Sequence, residues 1–317
     1  MSLLSGSGDM LKRVVSGIVY VAVMLGLFLI KIFVPEPWGN VGFDVLIYFC
    51  SLVGTWEMLR AMKDSIHAAA KWIVRLFSVI CIPACVVCEL FFGYGIHVTA
   101  VAFFLLAICL LSLLVFKNNE STLENIGSAL VCAVYPSLLL CLLVLTNHFG
   151  EEPLFVQGKL NNTSAVLSDS LLAMLFIFVV SPLSDTMAFF TGLSLKKKFP
   201  KKLAPTISPN KTIVGFIGGI FGGAIAGVAI YFVYNAIWGN FANMYIQLPV
   251  YILIGLVASV ASAFGDLVES AIKRQRGLKD MGNIMPGHGG ILDRFDGTLF
   301  ATAVVYAAFA LVNVLAI

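Results

Sequence analysis

The chain has 317 residues and a formal net charge of +3, and 60% of its residues are hydrophobic while only 12% are charged. Soluble domains carry roughly 25% charged residues, and a mean hydropathy of +0.97 lies far outside their range. This composition excludes an ordinary soluble protein and predicts an all-α, polytopic integral membrane protein. The seven cysteines lie inside apolar runs without Cys/His ligand spacing, so we interpret them as packing residues.

Apolar runs follow one another along the chain, and each is long enough for a helix to cross a bilayer, which takes about 20 residues. The first run lacks a small-residue cleavage site, so we expect it to be retained. We divide the chain into an N-terminal cytoplasmic extension (1–13), five helices with an outer loop (14–166) and a C-terminal part with four helices and cytoplasmic loops (167–317). The nine predicted helices lie near 14–34, 41–62, 72–92, 96–116, 126–146, 167–193, 213–238, 250–271 and 297–317.

Basic residues indicate how these helices are oriented. All of the 20 Lys and Arg residues except Lys31 and Lys159 fall on one side of the membrane, and the positive-inside rule makes that side cytoplasmic. We therefore expect a cytoplasmic N-terminus and an extracytoplasmic C-terminus. The longest outer loop, 148–166, carries glycosylation sequons at Asn161 and Asn162, which are weak signals.

The loop before helix seven combines a basic cluster with a predicted helix cap. The cluster is explained equally well by ordinary topogenic charge, by attraction to anionic lipids or by a functional site; it consists of Lys196, Lys197 and Lys198. Thr212 is placed to cap helix seven, and a helix N-terminus beside Lys211 is a natural anion site.

Helix seven itself has glycine at every fourth position, which lets another helix approach closely. Two alternatives stay open, a smooth wall for an acyl chain or a contact in a homodimer. The four glycines are Gly215, Gly219, Gly223 and Gly227.

An acidic residue inside an apolar run costs free energy when it is charged in the membrane, and it usually marks a functional site. Asp266 lies seven residues before Lys273, which places it about 10 Å below the start of the cytoplasmic loop. A structural pair between Asp266 and a lysine remains the alternative. Glu57 has Arg60 three residues on, and we expect the two to form a local pair. The helix-eight face that carries Asp266 comprises Ser262, Asp266, Glu269, Ser270 and Lys273.

The residues that suit phosphates and a metal are concentrated in residues 270–296, which we call the signature segment. Basic side chains and glycine backbone neutralise phosphate oxygens, and carboxylates hold a hard divalent cation. Asp293 and Asp296 are three residues apart, so they share one helix face. With Asp266 they would form a three-carboxylate site suited to Mg²⁺ and not to zinc. A merely solvated loop is the alternative.

The signature segment resembles the signature of the phosphatidate cytidylyltransferases, also called CDP-diacylglycerol synthases. The resemblance extends upstream through Ser184-Asp185-Thr186, Ser208-Pro209-Asn210-Lys211-Thr212 and Gly265-Asp266, and so covers about the C-terminal half. The one departure is Met285, which is apolar like the residues usual at that position. The matching positions are Ser270, Ile272, Lys273, Arg274, Lys279, Asp280, Gly282, Pro286, His288, Gly289, Gly290, Ile291, Asp293, Arg294, Phe295 and Asp296.

The resemblance implies an enzyme that transfers CMP from CTP to phosphatidic acid, with Mg²⁺ as cofactor at the three aspartates and K⁺ in a second site. Its expected partners are CTP, phosphatidic acid and the lipid bilayer of a bacterial inner membrane, without nucleic acid. Lys273 and His288 are catalytic candidates; His288 would deprotonate the lipid phosphate, bind it or order the loop. The substrate-binding candidates are Asp185, Ser208, Lys211, Lys273, Arg274, Lys279, Gly289, Gly290 and Arg294.

Two rival functions stay open. A CTP-dependent polyprenol or phytol kinase would transfer the γ-phosphoryl group and release CDP. An ion-coupled transporter would use Asp185 and Asp266 as ion ligands, and inverted repeats would favour it. The sequence shows no internal repeat.

Overall fold

The computed structural model describes residues 3–117, 121–150, 154, 170–238, 244–285 and 289–315. Within these ranges, nine helical spans are long and apolar enough to cross a membrane, which confirms the predicted all-α polytopic fold. The helices are α1 (Leu3–Phe33), α2 (Val41–Ala61), α3 (Ala68–Phe92), α4 (Gly95–Phe116), α5 (Leu123–Ala133), α6 (Leu139–Asn147), α7 (Ser170–Leu195), α8 (Ile213–Ile237), α9 (Met244–Gln275) and α10 (Leu292–Leu315).

Several helix bounds differ from the predicted ones. A π-helical turn at Val134–Leu138 joins α5 to α6, and it contains Pro136, which has no backbone N–H to donate to a regular helix. The last helix begins at Leu292 instead of 297. Sequence reasoning began its last apolar run after the charged residues but placed Asp293 and Asp296 at the start of the same helix, and the structure confirms that both lie in it.

The chain forms two compact units: Met1–Lys159 with Arg276–Phe295, and Leu160–Gln275 with Asp296–Ile317. In the first unit α3 packs against α2, α4, α5 and α6. In the second unit α8 packs against both α7 and α9. Edge-on contacts between Phe176, Tyr231, Tyr251 and Phe309, with ring centroids 5.3 to 6.2 Å apart, form its core.

Glycines make the close packing of α8 possible. A Cβ built at Gly219 would lie 3.2 Å from the Ala188 Cβ on α7, and one at Gly223 would overlap the Gly255 backbone oxygen on α9. The prediction that these glycines permit close helix approach is therefore confirmed, because their space is taken up within one chain.

All seven cysteines are free, and five of them are buried in helices of the first unit. This confirms the interpretation as packing residues for those five, whereas Cys88 is half-buried and Cys109 is exposed. The first unit also buries a polar network around Asp44. Asp44 Oδ1 accepts a hydrogen bond from Asn147 at 3.0 Å, and Asp44 Oδ2 lies 2.9 Å from His148 Nε2. Lys31 Nζ donates to the Asn147 carbonyl oxygen at 2.9 Å. A buried charge needs such partners to be stable. A structural role therefore explains why Asp44 lies inside the first unit.

Candidate active site

A short β-hairpin carries the Ser-Pro-Asn-Lys-Thr motif of the second unit. Strand β1 (Lys202–Ala204) pairs antiparallel with β2 (Ser208–Thr212), where sequence reasoning expected only a loop. Strand β2 leads directly into α8, and the Thr212 Oγ1 accepts a hydrogen bond from the Gly215 N–H at 3.1 Å. The predicted cap is therefore confirmed. The hairpin fixes Lys211 immediately before the positive end of the α8 dipole.

Lys211 on β2 forms an ion pair with Asp266 on α9. The two side chains are 28% and 30% exposed, so both remain accessible to a ligand. Asp266 also accepts a hydrogen bond from Ser270, one helical turn further along α9, at 3.3 Å. The structure thus brings together two residues that sequence reasoning had placed in separate motifs.

Both residues line a cavity of about 630 Å³ formed by α7, the hairpin, α8 and α9. Its charged lining residues also include Asp185, Lys196 and Lys202. Lys196 therefore lines the cavity, and both a site role and ordinary topogenic charge stay open for it. Lys202 was missed as a site residue because only strand pairing brings it opposite Thr212. A cavity with three lysines beside a helix N-terminus is suited to phosphate groups.

Glycines also allow α10 to pass close to the acidic part of α9. A Cβ built at Gly265 would overlap the backbone oxygen of Asp296. One at Gly297 would lie 3.1 Å from Ser181 Oγ, which itself lies 2.8 Å from Ser262 Oγ. The Gly265-Asp266 motif thus places an acidic residue beside the first turns of α10.

Carboxylates of the second unit lie near one another at this position. Asp185 interacts electrostatically with Asp266 and Asp296, and Asp296 interacts with both Asp266 and Glu269. Glu269 is fully buried and pairs with Lys273 at 2.9 Å. Like charges held together raise the electrostatic free energy unless a cation or basic side chains offset them.

Such hard oxygen donors fit the chemistry of Mg²⁺. However, no three His, Cys, Asp or Glu side chains in the part of the chain that the structure describes form a group that could hold a metal ion. The predicted Asp266, Asp293 and Asp296 site therefore stays a prediction.

Asp293 belongs to the first unit and binds the backbone of the signature segment. Its Oδ2 accepts hydrogen bonds from the N–H groups of Met281 at 2.9 Å and Gly290 at 2.8 Å. Gly289, directly before Gly290, has a φ of +87°, a backbone conformation that residues other than glycine rarely adopt. Gly289 therefore allows the segment to fold back onto the start of α10.

The remaining predicted residues are placed as follows. Arg274 Nε donates to the Ile207 carbonyl oxygen at 3.3 Å, which ties the end of α9 to the hairpin. Lys279 and Arg294 are exposed, as a role in binding a soluble phosphate compound requires. His288 lies outside the described residues, as do Asn161 and Asn162.

Glu57 was interpreted wrongly from sequence. Arg60 does not pair with it and instead lies over the Trp56 ring, 5.5 Å from its centroid. Glu57 is fully buried, and its two carboxylate oxygens accept hydrogen bonds from the N–H groups of Ile291 and Leu292. The signal that could have found it is an acidic residue inside a membrane span.

Comparison with known proteins adds independent findings. A family model described as "Cytidylyltransferase family" matches residues 11–312. The phosphatidate cytidylyltransferase of Bacillus subtilis (strain 168) is 32% identical over 304 residues, covering 96% of this chain and 98% of that protein. The phosphatidate cytidylyltransferases of Staphylococcus haemolyticus (strain JCSC1435) and Staphylococcus aureus (strain COL) are 43% and 46% identical over 136 residues. These two matches cover 48% and 47% of the relatives.

Proposed function

Because the chain belongs to the cytidylyltransferase family, we propose that it transfers CMP from CTP to phosphatidic acid, giving CDP-diacylglycerol and pyrophosphate. The observation that carries this proposal is the Lys211–Asp266 pair in a basic cavity beside the capped start of α8. A membrane protein whose acidic and basic residues meet in one recess is suited to a reaction between a lipid phosphate and a nucleotide.

In the proposed reaction, an oxygen of the phosphatidate phosphate attacks the α-phosphorus of CTP. The new P–O bond forms as the bond to the β-phosphate oxygen breaks, and pyrophosphate leaves with that electron pair. Phosphatidate is already anionic near neutral pH, so the reaction requires alignment and charge neutralisation more than a strong base. Lys211, Lys196 and Lys202 are positioned in the cavity to neutralise phosphate charge.

We assign the cofactor Mg²⁺ to Asp266, Asp293 and Asp296, with K⁺ in a second site. The support for Asp266 and Asp296 is the acidic cluster in the second unit and the preference of Mg²⁺ for carboxylate oxygens. Asp293 and the K⁺ site are included only because the resemblance of the signature segment implies them. When bound, Mg²⁺ would supply Lewis-acid stabilisation of phosphate charge.

The proposal also includes an active site that faces the cytoplasm of a bacterial inner membrane. The distribution of basic residues supports this orientation, and the relatives reported above are bacterial. CTP is then available on the side where Lys211 and the signature segment lie. A homodimer also remains a proposal. The α8 glycines do not support it, because their space is taken up by helices of the same chain.

Two labelled nucleotides test the function. Purified protein in phosphatidate-containing nanodiscs receives Mg²⁺ and CTP labelled at either the α- or the γ-phosphorus. We expect the α-label to enter the lipid fraction and the γ-label to appear in pyrophosphate. Transfer of the γ-label to lipid with release of CDP would establish a kinase instead. Ion flux in liposomes without CTP turnover would establish a transporter.

A further inference from the structure

Glu57 lies in α2 and binds the start of another helix. Its Oε1 accepts a hydrogen bond from the Ile291 N–H at 3.1 Å, and its Oε2 accepts one from the Leu292 N–H at 3.0 Å. The first N–H groups of a helix have no partner within the helix and lie at the positive end of its dipole. A fully buried carboxylate at this point therefore satisfies two N–H donors at the start of α10 and receives favourable electrostatic stabilisation.

Two glycines of the signature segment pack against the same carboxylate. A Cβ built at Gly282 or Gly290 would overlap Glu57, and the three nearest atoms at both positions belong to the Glu57 side chain. Neither glycine is among those with a positive φ. Glycine is therefore needed at these two positions for space and not for backbone conformation.

The contact surface extends one turn along α2. A Cβ built at Gly54 would lie 2.9 Å from the Leu292 Cδ2 atom and 3.2 Å from the Pro136 Cβ atom. Gly54 and Glu57 are three residues apart, so they lie on one face of α2. This face fits the start of α10 in both shape and hydrogen bonding.

Asp293 also holds the segment, because it accepts hydrogen bonds from the N–H groups of Met281 and Gly290. The backbone at Gly290 thus lies against Glu57 and is also bound by Asp293. Movement of Glu57 would displace the start of α10, which carries Asp293 and Arg294.

We propose that Glu57 is a positioning residue for the reaction: it fixes the start of α10 and the backbone at Gly282 and Gly290, and thereby orients Asp293 and Arg294. The contact of Glu57 with α10 does not depend on the proposed function; only the expected effect on kcat rests on it. A carboxylate is required because an amide would present an NH₂ donor to one of the two N–H groups.

The first test is a double-mutant cycle with Glu57→Ala and Gly290→Ala, measured as kcat for CTP turnover per folded molecule. Gly290→Ala alone should lower kcat at least about 10-fold, since the added methyl group meets the carboxylate. In the Glu57→Ala background the same substitution should cost less than about 3-fold, because the methyl group enters vacated space. Equal factors in both backgrounds would overturn the proposal.

Glu57→Gln tests the hydrogen bonds while keeping the shape. We expect kcat per folded molecule to fall at least about 10-fold, because one charged hydrogen bond that positions the start of α10 is lost, and the melting temperature to fall as well. The matched control is Asp44→Asn, a buried, hydrogen-bonded carboxylate of the same helix; it should lower the melting temperature and leave kcat unchanged. Full kcat in Glu57→Gln, or an equal loss in the control, would contradict a positioning role.

A third readout needs no substrate. Hydrogen–deuterium exchange at the Ile291 and Leu292 amides should be faster in Glu57→Gln than in the parent protein, and unchanged in Asp44→Asn. Unchanged exchange in Glu57→Gln would refute the contact itself. If exchange responds as expected but the parent makes no CDP-diacylglycerol, the proposed function fails while the structural role of Glu57 stands.

Discussion

Lys211 and Asp266 are 55 positions apart in sequence, yet they form an ion pair at the wall of the cavity in the second unit. The β-hairpin positions Lys211 from one side, and α9 presents Asp266 from the other. Because each side chain keeps about a third of its surface accessible, the pair can open to admit phosphate oxygens without first unfolding a packed core.

We predict that Lys211→Gln lowers CTP turnover at least about 10-fold, since one charged phosphate contact is lost. Lys197→Gln is the matched control, because Lys197 is an exposed lysine of the nearby cluster that does not line the cavity; its turnover should stay near that of the parent. Steady-state kinetics on the two variants measure the difference. Comparable losses in both would show that the cluster acts only through its summed charge.

The double variant Lys211→Gln/Asp266→Asn distinguishes a catalytic pair from a purely structural one. Removing both charges leaves no unpaired ion, so we expect a melting temperature within a few degrees of the parent. Turnover should nevertheless remain at least about 10-fold reduced. Recovery of both stability and turnover in the double variant would establish the structural alternative.

Metal binding gives a separate prediction. Asp296→Asn keeps the shape of the side chain but removes its charge, and we expect turnover to fall at least about 100-fold, or roughly 2.7 kcal/mol in activation free energy. Chelation of Mg²⁺ should abolish turnover of the parent, and added Mg²⁺ should restore it. An Asp296→Asn enzyme with ordinary Mg²⁺ dependence and turnover would remove Asp296 from the metal site.

Local features of the sequence were sufficient for much of the fold. Hydropathy alone located the nine spans that the described part of the chain contains, and the glycine spacing of α8 predicted its close packing, because both depend on residues near in sequence. The Thr212 cap was likewise predictable from its position before an apolar run.

Contacts between distant residues were not predictable in this way. Glu57 binds Ile291 across 234 residues, and nothing in its neighbourhood distinguishes that partner from the nearby Arg60. The pairing of Lys202 with Thr212 also needed the hairpin. The charges of the signature segment indicated phosphate chemistry, but only the structure shows that Asp293 binds the backbone of Met281 and Gly290.

Close packing of α8 can be tested without substrate. Gly223→Ala places a methyl group against the Gly255 carbonyl oxygen and Ser259, so we expect a loss of about 1–3 kcal/mol in stability and a melting temperature lower by roughly 2 °C or more. Gly127→Ala is the control, since its Cβ would meet nothing within 4 Å. Equal melting temperatures for the two variants would show that α8 can move away from α9.

Topology can be tested by labelling introduced cysteines in a background without the native ones. Asn283 is exposed whereas its neighbour Gly282 is buried against Glu57, so Asn283→Cys reports the signature segment without disturbing it. It should react with an impermeant thiol reagent only from the cytoplasmic side. Leu154→Cys, in the predicted outer loop, should react only from outside. The reverse pattern would place the signature segment away from CTP.

The final prediction separates the geometry of a phosphate contact from its charge. Arg294 is exposed in the first turn of α10, directly after Asp293, whose carboxylate is fixed by two backbone N–H groups. A guanidinium can bind two phosphate oxygens at once, whereas an ammonium of equal charge cannot offer the same planar pair of donors. We therefore expect Arg294→Lys to lose at least about 10-fold in turnover, equivalent to roughly 1.4 kcal/mol. Lys197→Arg is the matched change between the same two residue types and should have little effect. If Arg294→Lys keeps parental kinetics while Lys211→Gln is inactive, phosphate binding depends on the hairpin cavity and Arg294 contributes only charge.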